Sequence, residues 1–238
     1  MKNTEITYPM RINKYLALKG FATRREADRL VEQGVVYINN KKAVLGQQVN
    51  FGDAVEMRGD SRADYKYVAY YKPRGAVTHS AMHGEGDVAD EFSKLGLFPI
   101  GRLDKESEGL LILTNDGRIT ERLLSPDNDH TKEYVVTTQE KIRAGIPGIL
   151  SKGMDTHLYG VLKPAKAKII DDCVLQIDLV EGKKHQIRIM LDELHLTVRK
   201  LKRNKIMNIK LGTLRPGQQR EILGRELEIF LAELGITK

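Results

Sequence analysis

Cysteine is nearly absent from this chain of 238 residues: Cys173 is its only one. No intrachain disulfide can form, and no cysteine cluster can hold zinc. Cys173 stands in the alternation Cys173-Val174-Leu175-Gln176-Ile177 and reads as a buried strand residue. A single thiol fits a reducing, cytoplasmic setting. Long apolar runs are missing too, since no stretch approaches the roughly 18–20 residues of a membrane helix. Met1 to Met10 lacks the apolar core of a secretory signal. There is no internal repeat and no low-complexity tract. What is present, 41% hydrophobic and 30% charged residues, is the composition of a soluble globular protein, with room for one substantial domain and a smaller one or for two modest domains.

Negative charge is the scarcer sign. The formal net charge is +7 and the sequence pI is about 9.3. Residues 183–210 hold nine Lys or Arg against Asp192 and Glu193, a local excess equal to that of the whole chain. So dense a cluster is the electrostatic footprint of a phosphate-bearing partner, although a solvated surface has the same composition.

Periodicity divides the chain in two. Ile12, Tyr15, Leu16 and Lys19 mark a short helix ended by Gly20. Thr23-Arg24-Arg25-Glu26 has the spacing of a capping box for a second helix with Ala27, Leu30 and Val31 on its apolar stripe, stopped by Gly34. Val35 to Ile38 reads as a strand, Asn39-Asn40-Lys41-Lys42 as a polar turn, and Asp53 to Met57 as a further strand. A first domain over residues 1–60 is expected, with Arg58 to Asp64 as a linker and a second domain over 65–238. In the second, Tyr65–Tyr71, Leu110–Leu113, Glu133–Thr138 and Val174–Val180 read as strands. Ile119–Leu124, His185–His195 and Arg225–Leu234 read as helices. Strands outnumber helices and are not regularly interleaved with them, which implies an α+β domain around a mostly antiparallel sheet.

The chemistry-bearing segment is Gly101-Arg102-Leu103-Asp104-Lys105-Glu106-Ser107-Glu108-Gly109-Leu110. Five charged residues sit between two glycines just ahead of an apolar strand, where a rigid scaffold positions loop side chains for catalysis. Taken alone, it is equally an ordinary charged loop. His79 and His83 stand four apart but outside any helical pattern and without a third ligand, so no metal site is expected. Gly84-Glu85-Gly86 is not a phosphate loop, since no Gly-Lys-Ser/Thr follows. His79 to Asp90 reads as a flexible surface loop that can touch RNA.

Residues 10–58 resemble the alpha-L RNA-binding motif, through Arg11-Ile12-Asn13-Lys14-Tyr15-Leu16, Thr23-Arg24-Arg25-Glu26-Ala27-Asp28 and Val36-Tyr37-Ile38-Asn39. That resemblance implies phosphate contacts from Arg24, Arg25, Arg29, Lys41 and Lys42. The charged loop, continuing to Leu111-Ile112-Leu113-Thr114-Asn115-Asp116-Gly117, resembles the central motif of pseudouridine synthases. Lys72-Pro73-Arg74-Gly75, Lys132-Glu133-Tyr134 and Glu181-Gly182-Lys183-Lys184-His185-Gln186-Ile187-Arg188 resemble that family's other motifs, in order. Leu201-Lys202-Arg203-Asn204-Lys205-Ile206-Met207 and Leu214-Arg215-Pro216-Gly217 also fit. Together with the N-terminal unit they resemble the RsuA-type subfamily, which modifies ribosomal RNA. Asn128 to Tyr134 and Arg203 to Asn208 look most like members acting on large-subunit (23S) RNA.

The resemblance implies that uracil is detached from C1′, turned, and rejoined through C5. No atom is gained or lost, so neither a cofactor nor a metal is expected. Asp104 matches the essential aspartate, as nucleophile or as base. Arg188 matches the arginine that pairs with it and holds it ionised. Tyr134 is the aromatic face for the extruded base, and Ile187 closes the other side. Arg102 matches the residue that enters the gap left in the RNA. Lys72 and Pro73 read as shaping the turn after a strand, and Lys72 is kept among the RNA-side residues. Two departures stand out: Ile189 follows Arg188 where relatives commonly carry a second base, and His185 stands where relatives often carry Arg. The alternatives are a catalytically silent RNA-binding assembly factor and a glycosidic hydrolase using Glu106 or Glu108 as a second carboxylate. A monomer is expected.

Overall fold

The computed structural model describes residues 7–19, 21–22, 24–58, 65–79 and 87–236. The chain divides between Tyr65 and Lys66 into two compact units.

The first unit opens with β1 (Met10–Arg11), which leads into α1 (Ile12–Leu18) and then α2 (Arg24–Glu32). Thr23 and the Glu26 side chain, the two ends of the expected capping box, lie outside the described residues. α2 ends where Gly34 takes a φ of 71° and the Val35 N–H donates back to the Leu30 carbonyl. β2 (Val36–Ile38) follows. Asn39 and Asn40 both take positive φ, the mirror-image turn that matches the twist of a two-residue hairpin. Lys41 and Lys42 are therefore not turn residues, as their polarity suggested, but strand β3 (Lys41–Lys42). β4 (Gln48–Val49) pairs with β1, and β5 (Val55–Met57) completes a sheet in the order β3-β2-β5. Ile12, Leu16, Ala27, Val31, Val36 and Val49 form a core belonging to this unit alone.

The second unit begins with β6 (Tyr67–Lys72), buried along its whole length. α3 (Val88–Ser93) follows, capped by the Asp87 carboxylate, which accepts from the N–H groups of Ala89 and Asp90. Residues 80–86 of the expected surface loop lie outside the described residues, but its last four residues, Asp87 to Asp90, are this cap and the first helical turn. β7 (Phe98–Ile100) and β8 (Glu108–Thr114) bracket the charged loop. Next come α4 (Arg118–Leu124), β9 (Lys132–Thr138), α5 (Ile146–Leu150) and the hairpin of β10 (Met154–Thr156) with β11 (Gly160–Leu162). β12 (Lys166–Asp171) and β13 (Val174–Leu179) form another hairpin. Cys173 is half-buried in the turn between them, one residue ahead of β13 and not within a strand; its carbonyl accepts from the Thr138 N–H. α6 (Gln186–Asp192), β14 (Val198–Ile206), β15 (Ile209–Lys210), β16 (Gln219–Glu221) and α7 (Gly224–Glu233) complete the chain.

The main sheet runs β12-β13-β9-β14-β8-β6-β16, with β7 against β8 and β15 against β14. Its neighbours are antiparallel except at one place, where β14 meets β8 in parallel and Arg203 lies opposite Gly109. The sequence explains this close approach. A Cβ on Gly109 would stand 2.4 Å from the Arg203 carbonyl oxygen, and its φ of 111° suits glycine alone. One core lies under β9, β13 and α6, built on Val136, Leu175, Ile177, Met190 and Leu191. A second lies under β6 and β8, built on Val68, Tyr70, Phe92, Leu111 and Leu113. No helix among the described residues is long and apolar enough to cross a membrane.

Candidate active site

The charged loop lies between β7 and β8, and its backbone is tied down residue by residue. Thr78 Oγ1 donates to the Leu103 carbonyl at 2.8 Å and accepts from the Leu103 N–H at 3.2 Å. The Asp104 carbonyl accepts from Ser107 N–H, and the Lys105 carbonyl from Gly75 N–H. The Glu106 carbonyl accepts from Arg188 Nη2 at 3.1 Å, and the Ser107 carbonyl from Lys72 Nζ at 2.9 Å. Every carbonyl from Leu103 to Ser107 thus has a donor. A loop held at five successive points presents its side chains without further ordering cost.

Two expectations change here. Lys72 is fully buried, bound to the carbonyls of Pro73 and Ser107. It braces the loop from beneath and does not face RNA phosphate, because its strand, β6, is buried on both faces. Burial pulls its ammonium down to about 8, with the Asp104 charge opposing. Arg188, expected to pair with Asp104, instead donates to the carbonyls of Glu106 and Val198. Its fork reaches the loop backbone two residues past the carboxylate. The side chain beside Asp104 is instead His185, whose Nε2 stands 3.4 Å from Oδ1. His185 takes a φ of 56° at the start of α6, and this left-handed backbone precedes the first helical turn.

Asp104 lines a cleft of about 460 Å³ shared with Arg102, Tyr134, His185 and Ile187. Tyr134 and Ile187 are buried in the core that floors it, and Arg102 is exposed. Residues named from separate motifs are thereby collected around one carboxylate: Tyr134 from β9, Ile187 from α6, Arg102 from the loop itself. Arg188 touches the loop from outside the cleft. Glu106 is exposed and held below the usual carboxylate range by the hydrogen bond and charge of Arg74, 2.8 Å away, so it is not a proton donor at neutral pH. Glu108 opens β8.

Among the polar residues of the cleft wall to which the sequence reading gave no role are Ser107, Lys132 and Arg203. All three are buried. Lys132 and Tyr134 share the inward parity of β9, and Arg203 shares that of Leu201 in β14. That two-residue parity was the signal available for them. Lys132 Nζ donates to the His130 carbonyl, and burial followed by the Arg203 charge lowers it to about 8. Outside the cleft, buried Asp116 pairs with Arg118 at 2.8 Å and accepts from Tyr67 Oη at 2.6 Å, anchoring α4. In the first unit, Arg24, Arg25, Arg29, Lys41 and Lys42 are all exposed, and the Lys42 stem lies against Gly34 at the end of α2. No group of three or more His, Cys, Asp or Glu that could hold a metal ion occurs among the described residues.

Comparison with known proteins agrees with this geometry. Residues 66–193 match the family described as RNA pseudouridylate synthase, and residues 10–55 match the S4 domain. The chain is 39% identical over 225 residues to the dual-specificity RNA pseudouridine synthase RluF of Escherichia coli strain K12, covering 92% of this chain and 77% of that protein. It is 32% identical to the ribosomal large subunit pseudouridine synthase B of Bacillus subtilis, covering 92% and 94%. Among solved structures, a pseudouridylate synthase crystal structure superposes with a TM-score of 0.69 at 26% identity, over 94% of this chain and 99% of that one.

Proposed function

Because this chain belongs to the RNA pseudouridylate synthase family and carries an S4 RNA-binding domain, we propose that its substrate is a uridine of ribosomal RNA, in first place the 23S RNA of the large subunit. The isomerase activity is the family's. The substrate is inferred from the name of the B. subtilis relative and from the basic character of the chain. The observation that carries the site assignment is the meeting of Asp104, Tyr134 and Ile187 in one cleft.

The uridine leaves its stack, because its C1′ is out of reach inside folded RNA. Tyr134 receives the base face and Ile187 closes over it, while Arg102, exposed at the rim, occupies the position the nucleotide vacates. Asp104 then acts at the sugar, by attack on C1′ or by removing a proton. Either act needs the carboxylate ionised and aimed. The five backbone anchors aim it, and the His185 ring stands 3.4 Å from its Oδ1. Arg188 serves through the loop backbone. Arg24, Arg25, Arg29, Lys41 and Lys42 bind phosphate, which positions the enzyme without reading sequence.

The test maps pseudouridine in unmodified 23S, 16S and transfer RNA after incubation with wild type and with Asp104→Asn. The word dual in the name of the E. coli relative makes a second RNA part of the test. Wild type is expected to modify 23S RNA at a discrete position. Asp104→Asn is expected to bind that RNA within about twofold and to lose turnover by about 10⁴, the scale of a lost catalytic group. Product in 16S RNA alone would overturn the large-subunit assignment, and an active Asp104→Asn would overturn the role of the carboxylate.

A further inference from the structure

Two residues that line the cleft each hold a buried polar atom with no partner among the described residues: Arg203 at Nη2 and Ser107 at Oγ. Arg203 is 4% exposed and Ser107 1%. Arg203 spends its Nε on the Leu110 carbonyl at 2.8 Å, which fixes the guanidinium plane against β8. Its backbone is clamped between Gly109 and Tyr134, its neighbours in the sheet. Two cations of its own sign stand near it, since its charge helps lower the ammoniums of both Lys72 and Lys132. A buried guanidinium with an unused donor, flanked by two buried ammoniums, is costly for the fold. Such an arrangement is repaid when an anion or an acceptor enters.

We propose that Arg203 Nη2 and Ser107 Oγ are the donor pair that binds the polar edge of the extruded uracil and takes up the charge it acquires when its bond to C1′ opens. This rests on the assignment of the Asp104 cleft to a flipped uridine. In the step concerned, the N1–C1′ bond breaks and its electron pair leaves with the base, spread over N1, O2 and O4. C1′ is made good by the Asp104 carboxylate, by bonding to it or by accepting a sugar proton. After the base turns, C5 bonds to C1′ as the Asp104–C1′ bond breaks, or as Asp104 returns the proton to the sugar. The C5 proton is then released and N1 takes one up, so atoms and charge balance. Both routes at Asp104 place negative charge on the base. Fixed donors aimed at developing charge in a covered site accelerate such a step, and the removal of one costs about 10²–10³ in rate. Lys132 makes the same wall electropositive without occupying the donor positions, and Lys72 adds its charge from beneath the loop.

The experiment compares wild type, Ser107→Ala, Arg203→Lys and Arg203→Ala in single-turnover assays on whichever transcript (23S, 16S or transfer RNA) wild type modifies. RNA affinity and thermal midpoint are measured alongside. We expect Ser107→Ala to slow the chemical step at least about tenfold and Arg203→Ala about a hundredfold, with RNA affinity within about twofold. Methylguanidinium added to Arg203→Ala is expected to restore part of the lost rate, which a purely structural role would not allow. Should Arg203→Ala fail to fold, Ser107→Ala and Arg203→Lys decide. Wild-type rates in those two, or a loss confined to RNA affinity, overturn the donor pair while leaving the family activity standing. Wild type without product on any of the three RNAs overturns the substrate reading and the donor pair together.

Discussion

The carboxylate at position 104 is only as useful as the loop that carries it, and that loop is held by residues with no chemistry of their own. Thr78 Oγ1 makes both a donated and an accepted bond to Leu103, one residue before Asp104. Thr78→Val keeps the shape and removes both. It is expected to cost about 1–2 kcal/mol in chemical denaturation and to lower the single-turnover rate about tenfold at unchanged RNA affinity. Motif spacing made Asp104, Tyr134, Ile187 and Arg102 legible in the sequence. It did not reveal that Lys72 and Arg188 grip the backbone of the loop, because a positive charge in a sequence carries no sign of its burial. Lys132 illustrates the point in energy. Its pKa in the fold, about 8, lies below its ordinary value of 10.5, so the fold bears the full cost of its charge below pH 8 and is relieved of it as pH rises toward 10.5. Lys132→Met is therefore expected to be more stable than wild type at pH 7, by about 1–3 kcal/mol. Denaturant titrations at pH 7 and pH 10 check the sign, since the advantage should shrink at the higher pH.

Among elements, the strand hardest to see was the one in the middle. β14 occupies the basic stretch, and Arg199, Lys200, Lys202 and Lys205 mask the inward parity of Leu201 and Arg203. The stretch counted as a phosphate footprint is thus in part a wall of the cleft. α3 was hidden differently: its cap, Asp87, closes a run of glycine and polar residues that reads as loop until the carboxylate is seen accepting two N–H groups. β6, β8, β9 and β13 were legible because their apolar or alternating runs are uninterrupted. The contact that joins them into one sheet depends on one glycine. Gly109→Ala drives a methyl against the Arg203 backbone at a φ that alanine avoids. A loss of about 3 kcal/mol or more is expected, together with loss of activity. A thermal midpoint within a few degrees of wild type would show that the two strands can part without harm.

At the scale of the whole molecule, two units that share no core imply two separable tasks. Residues 66–238, expressed alone, are expected to unfold cooperatively with their own midpoint. They are expected to bind RNA more weakly, with a smaller salt slope, because five exposed cations of the first unit are gone. Filter binding between 50 and 200 mM salt measures the slope, and equal slopes for fragment and full chain would remove the first unit from the RNA contact. The parallel meeting of β8 and β14 has a consequence in time. Arg203 reaches back to Leu110 across 93 positions of sequence. During synthesis Asp104 is therefore made long before the strand that walls its cleft. Under the proposed function, a chain arrested short of that strand has Asp104 but nowhere to seat a base, so the nascent protein is expected to be silent toward the RNA of the ribosome that is making it, with competence arriving nearly at the last.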